Sequence, residues 1–160
     1  MGGPDDKQKQ IESLRGELRI ISGAISASEG RLKKYQEDYK KYENAIEKLA
    51  KIQKDILNGQ SFLSKSKTSL SNYASGKKAG MAAGAISSVI SMFGSTAGGI
   101  DAINTFIETD KQLLNEKYTD EYNNTYEDRI DDYNRTCRKI RELGGSARDK
   151  SPTITKKKLG

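Results

Sequence analysis

From Ile11 onward the apolar side chains recur at alternating steps of three and four residues. The series runs Ile11, Leu14, Leu18, Ile21, Ile25, Leu32, Tyr35, Tyr39, Tyr42, Ile46, Leu49 and Ile56, with Ser28 and Gln53 as polar interruptions. A heptad pattern held for more than six heptads predicts one long helix with a narrow seam that supercoils left-handed against a partner. Its expected span is about 6–57, opened by Asp5 or Asp6 as cap after Pro4 and closed by Asn58-Gly59. Glu29–Lys33, Glu37–Lys41 and Glu47–Lys51 add i,i+4 pairs in the favourable order.

A second stripe contains Ile103, Ile107, Leu114, Tyr118, Tyr122, Tyr126, Ile130, Tyr133, Cys137 and Ile140 and predicts a helix over about 101–143, stopped at Leu143-Gly144-Gly145. Four-residue steps from Leu114 to Ile130 drift more slowly than heptads, nearer to an eleven-residue period. Residues 60–76 read as a short polar helix or loop, and 79–100 as a Gly/Ala-rich tip. The simplest arrangement is an all-α, elongated antiparallel helical hairpin of coiled-coil type, one domain over 1–145, with residues 146–160 a disordered basic tail.

Composition fits this picture. The chain has 34% hydrophobic and 31% charged residues, which suits helices that each bury one stripe rather than a thick core. Its two prolines, Pro4 and Pro152, bracket 147 residues free of any obligatory helix breaker. The net charge of +6 is not a nucleic-acid signal once it is located. Residues 1–57 carry 12 basic and 10 acidic groups, 58–100 carry 4 and none, 101–143 carry 7 and 11, and 144–160 carry 5 and 1. No basic stripe follows a helix, so a nucleic-acid partner is not expected.

The chain has no histidine and a single cysteine, Cys137. Without the usual general base, a relay for its Ser and Thr hydroxyls, or a phosphate-cradling loop, it is read as a non-enzyme with no cofactor and no metal site. Glu116, Asp120, Glu121, Glu127, Asp128, Asp131 and Asp132 form an acidic belt lacking calcium-loop spacing, read as solvated or partner-facing. Tyr118, Tyr122 and Tyr126 inside it, and Tyr35, Tyr39 and Tyr42 on the first helix, are candidate partner contacts as well as candidate seam residues.

The charge-free run between Lys78 and Asp101 is long enough to span a bilayer but diluted by glycine and serine. Gly80 and Gly84, then Gly94 and Gly98, have the small-xxx-small spacing of close helix contacts. A membrane-active protein inserting 79–100 is therefore one alternative function, and a self-associating structural coiled coil another. Met-Gly-Gly-Pro-Asp-Asp lacks the charge and apolar run of a cleavable signal, so a cytoplasmic protein is expected, or one exported by another route.

Two long helices around a small-residue tip resemble the WXG100-like and LXG-associated helical-hairpin proteins of Gram-positive type VII secretion. The likeness is nearest to the small accessory partners that bind the helical domain of LXG toxins. Phe106-Ile-Glu-Thr-Asp110 looks like the Phe-xxx-Asp export motif of such partners, here at the start of the second helix. Tyr39-Lys-Lys-Tyr-Glu43 matches the related Tyr-xxx-Asp/Glu pattern in mid-helix, and Phe93-Gly94 stands where a Trp-x-Gly turn would. The resemblance implies a targeting chaperone or adaptor that pairs with another helical protein, with Phe106 and Asp110 in recognition. Read from the stripe alone, Phe106 is instead a buried neighbour.

Overall fold

The computed structural model describes residues 3–73, 76–157 and 159, and the side chain of each except Tyr73. Met1, Gly2, Ala74, Ser75, Lys158 and Gly160 lie outside the described residues, and with them the end of the 60–76 segment and part of the lysine run. The protein is all-α, with no strand among the described residues. Helix α1 spans Pro4–Tyr73, α2 spans Lys77–Glu121, a π-helical turn spans Tyr122–Tyr126, and α3 spans Glu127–Glu142. The packing falls into two compact units, Met1–Tyr39 with Gln112–Gly160, and Lys40–Lys111.

Helix α1 starts on Pro4, whose missing N–H belongs to the first turn, where no partner is needed. Asp5 and Asp6 sit inside that turn rather than at the cap, where their charge meets the positive end of the helix dipole. The helix does not stop at Asn58-Gly59. The heptad carries on through Gln60, Leu63, Lys67 and Leu70, all half-buried, so continued packing outweighs the breaker signal. Gly59 works as a close-approach site instead. A Cβ there would lie 3.0 Å from the Phe93 ring.

Within the Lys40–Lys111 unit the two segments run in opposite order. Gln53 donates to Asp101 Oδ1 at 2.6 Å, Gln60 to the Ile90 carbonyl at 3.2 Å, and Lys67 to Ser87 Oγ at 2.7 Å. The expected tip 79–100 is thus a regular part of α2. A left-handed Gly76, at φ +106°, leads into that helix and accepts from the Gly80 N–H at 3.1 Å.

The Met1–Tyr39 and Gln112–Gly160 unit holds the thicker core: Ile25, Leu32, Tyr118, Tyr122, Tyr126, Ile130 and Ile154, flanked by Ile21, Tyr35, Tyr133 and Leu159. Ser28, a polar interruption of the heptad, is fully buried and donates to Glu121 Oε1 at 2.7 Å. Arg31 reaches the same carboxylate oxygen, its Nη2 2.7 Å away. Ser28 and Gln53 therefore both donate to a carboxylate of α2, the arrangement by which a lone polar seam residue fixes register. The slow drift of the tyrosine stripe is met by the π-turn. There the Glu127 N–H bonds to the Tyr122 carbonyl, five residues back, and the wider turn keeps residues spaced by four on one side.

Helix α3 ends in a Schellman motif. The Gly145 N–H donates to the Ile140 carbonyl at 2.9 Å and the Gly144 N–H to that of Arg141 at 3.0 Å, with Gly144 at φ +89°. The chain beyond is not the expected free tail. Residues 146–157 form an irregular strap packed on the unit's core, with Ile154 buried.

Candidate functional site

The strap lies on the tyrosine row. Tyr118 and Tyr126 are almost wholly buried and Tyr122 nearly so, with ring centroids 6.2 Å apart for the first pair and 5.2 Å, edge-on, for the second. Each hydroxyl reaches the strap. Tyr118 donates to the Thr155 carbonyl and Tyr122 to the Ile154 carbonyl, both at 2.7 Å, and Tyr126 accepts from the Thr153 N–H at 3.0 Å. Glu29 accepts from both the Tyr126 hydroxyl and the Thr153 hydroxyl at 3.0 Å, and Gln36 donates to Tyr118 at 3.1 Å.

Further along, Asn134 pairs with both backbone groups of Lys150. It donates to the carbonyl at 2.9 Å and accepts from the N–H at 2.8 Å. The Lys150 ammonium stands 5.1 Å from the Tyr133 ring centre. Lys156 pairs with Glu127 at 3.2 Å and Arg141 with Asp149 at 3.0 Å. Cys137, fully buried, points its thiol at the Arg148 carbonyl.

Burial raises the pKa of Tyr118 and Tyr122 above the ordinary phenol value, by loss of water first and by neighbouring Tyr126 second for Tyr122. For Tyr118 the Gln36 hydrogen bond opposes part of the rise. Burial also pushes the Cys137 thiol up, with Asp149 adding to it and Arg141 and Lys150 opposing. This thiol is a poor nucleophile where it stands.

A second feature lies in the other unit. One face of α2, through Ile86, Ile90, Phe93, Ala97, Ile100, Asn104 and Ile107, is buried or half-buried. The opposite face carries Met81, Ala85, Ser88, Met92, Ser95, Gly99, Ile103, Phe106 and Asp110 at steps of three and four residues, all exposed. Phe106 is 73% exposed and Met92 66%. Phe106 is thus no buried stripe neighbour, and Ile103 does not share the buried stripe of Ile107. An added Cβ at Gly99 on this stripe, or at Gly80, Gly84 and Gly98 elsewhere on α2, would meet nothing within 4 Å.

The structure therefore separates the sequence candidates. Phe106 and Asp110 lie together, one turn apart on the exposed stripe. Tyr118, Tyr122 and Tyr126 are buried as seam residues beneath the strap rather than open to solvent. Tyr35 packs on the same core, while Tyr39 and Tyr42 are half-buried. The acidic belt is partly matched within the chain, Glu121 by Arg31, Glu127 by Lys156, and Asp132 by Arg129 and Arg135. Among the described residues no group of three His, Cys, Asp or Glu is placed to hold a metal ion.

The sequence reading missed Glu29, Gln36, Asn134 and the strap residues Thr153 and Ile154. A lone isoleucine between two threonines in a charged tail was the available signal. No protein-family model, no curated protein and no solved structure matches this chain.

Proposed function

We propose that the protein is a non-catalytic adaptor of helical-hairpin, coiled-coil type, which uses the exposed stripe of α2 to pair with a helix of another protein. One observation carries this reading: α2 repeats a three-four spacing on a face that no part of the described chain covers. Such a stripe left in water exposes methionine, isoleucine and phenylalanine, whereas a partner helix would bury them as knobs in holes. The small residues Ala85, Ser88, Ser95 and Gly99 along the stripe favour a helical partner, since they let two backbones approach closely.

Phe106 and Asp110 lie at one end of the stripe, where the resemblance to type VII secretion partners would place recognition by an export apparatus. On that reading the adaptor forms in the cytoplasm, its partner is the helical domain of a secreted toxin, and export needs no cleavable signal.

The test is affinity capture of the tagged wild-type chain from its native cells beside a Met92→Asp/Phe106→Asp bait of unchanged helicity. A long-helical protein held by the wild type and lost from the variant is expected. A partner retained equally by both would sink the proposal. A self-associating coiled coil predicts instead that the purified chain alone forms a dimer, and that the same variant makes it monomeric.

A bilayer is the second reading, favoured by a helical stretch within Lys77–Glu142 that is long and apolar enough to cross a membrane and only 6% buried. Flotation with vesicles of mixed neutral and anionic lipid separates the two. Recovery wholly in the soluble fraction excludes insertion of 79–100.

A further inference from the structure

The helices hold the strap's main chain at five of the eight positions from Arg148 to Thr155. The carbonyls of Arg148, Lys150, Ile154 and Thr155 and the N–H groups of Lys150 and Thr153 are all engaged. Among the described strap residues Ile154 is the one buried side chain, while Thr153 bonds to Glu29 and Asp149 and Lys156 pair with Arg141 and Glu127 at the surface. A surface that reads backbone polar groups at several successive positions and offers one apolar seat is how extended peptides are recognised: main-chain bonds give affinity and the seat gives selectivity.

The strap is held mainly by polar contacts, with Ile154 its one buried side chain among the described residues. Ordering its backbone costs about 1–2 kcal/mol per residue, against roughly 1 kcal/mol net per hydrogen bond and about 2–3 kcal/mol for one buried isoleucine. Segments that bury little apolar surface are those that open locally below the free energy of global unfolding.

We infer that the face formed by Tyr118, Tyr122, Tyr126, Asn134 and Glu29 is a binding site for an extended polypeptide segment with an apolar residue between small hydroxyl residues. The chain's own Arg148–Thr155 is its resident, releasable occupant. The tether holds that occupant at an effective concentration in the millimolar range. A free segment therefore competes poorly with the closed strap and binds well once it is released. The site lies in a different unit from the exposed α2 stripe, so it stands or falls independently of the adaptor proposal.

The test uses the full chain and a fluorescent peptide of residues Ser146–Gly160, followed by anisotropy. Ile154→Asp releases the strap without touching the groove. This variant is expected to bind the peptide saturably and at least about tenfold more tightly than the wild type. Adding Tyr122→Phe weakens that binding several-fold, and a peptide carrying the same Ile154→Asp change does not bind. Equal binding by wild type and variant, or none by a variant of native helicity, overturns the inference.

Should Ile154→Asp unfold, hydrogen exchange on the unaltered protein decides. The Lys150 and Thr153 amides, held by Asn134 and Tyr126, should exchange at least about tenfold faster than mid-α3 amides. Equal protection would mean that the strap never opens on its own, which also overturns it.

Discussion

Substituting alanine for glycine should have opposite effects at two positions of the same unit. Gly145 closes the Schellman motif of α3, and a Cβ there would lie 2.7 Å from Ile140 Cγ2, 3.2 Å from the Ile140 carbonyl oxygen and 3.3 Å from Ile11 Cδ1. The first distance is shorter than real contacts allow, and Ile140 and Ile11 are both buried, so neither can yield without disturbing the packing. Overpacking of this kind destabilises by about 1–3 kcal/mol. For a chain near this length each kcal/mol moves Tm by about 2–4 °C, so Gly145→Ala should lower it by roughly 2–12 °C.

Gly30 is the control. It lies in the exposed interior of α1, and a Cβ there meets nothing within 4 Å. Gly30→Ala should stabilise by about 0.5–1 kcal/mol, because alanine loses less backbone freedom in a helix. Thermal unfolding followed by circular dichroism at 222 nm, on both variants in one buffer, provides the comparison. A Gly145→Ala protein as stable as the wild type would refute the close packing of Ile140 and Ile11 against the helix end. A destabilised Gly30→Ala would refute the open setting of that part of α1.

The Ser28 and Glu121 contact should be asymmetric. Ser28→Ala costs about 1 kcal/mol, whereas Glu121→Ala leaves both the buried hydroxyl and Arg31 without their acceptor and costs about 1.5–3 kcal/mol, measured by urea unfolding. Tyr122→Phe strands the buried Ile154 carbonyl and should cost about 1–3 kcal/mol, with faster amide exchange in the strap; an unchanged Tm and exchange pattern would contradict that bond. Phe106→Ala with Asp110→Ala should leave the stability of the isolated protein within about 0.5 kcal/mol, since both side chains are exposed, and an appreciable loss would place Phe106 in a contact the structure does not contain. Tyr118 and Tyr122 have pKa values raised above 10.0, so folding favours their neutral forms. That contribution is complete below pH 10, the unfolded value, and is lost as the pH rises through the folded ones; a pH titration of stability should therefore turn downward above about pH 10.

Much of this architecture was legible one-dimensionally. A heptad from Ile11 to Ile56 specifies a long helix because its period alone puts one narrow face in line, whatever covers it. The stop at Gly144-Gly145 was equally local, since a left-handed C′ residue and the carbonyls it satisfies lie within six positions of one another. The Asn58-Gly59 signal was also local but was overruled, because Phe93, distant in sequence, fills the space beside Gly59 and the seam continues beyond it.

Tertiary structure alone decided which stripe of α2 is covered and which is left open. Both recur at steps of three and four residues, and periodicity does not distinguish a buried seam from a vacant one. It also decided the strap. Its composition argues for disorder, and a row of tyrosine hydroxyls, with Asn134 and Glu29 beside them, supplies bonds that hold it. The sequence thus determined where the chain is helical, through interactions spanning a few residues. The fold determined what each face meets, because that depends on segments brought together from more than a hundred residues apart, as Glu29 and Thr153 are.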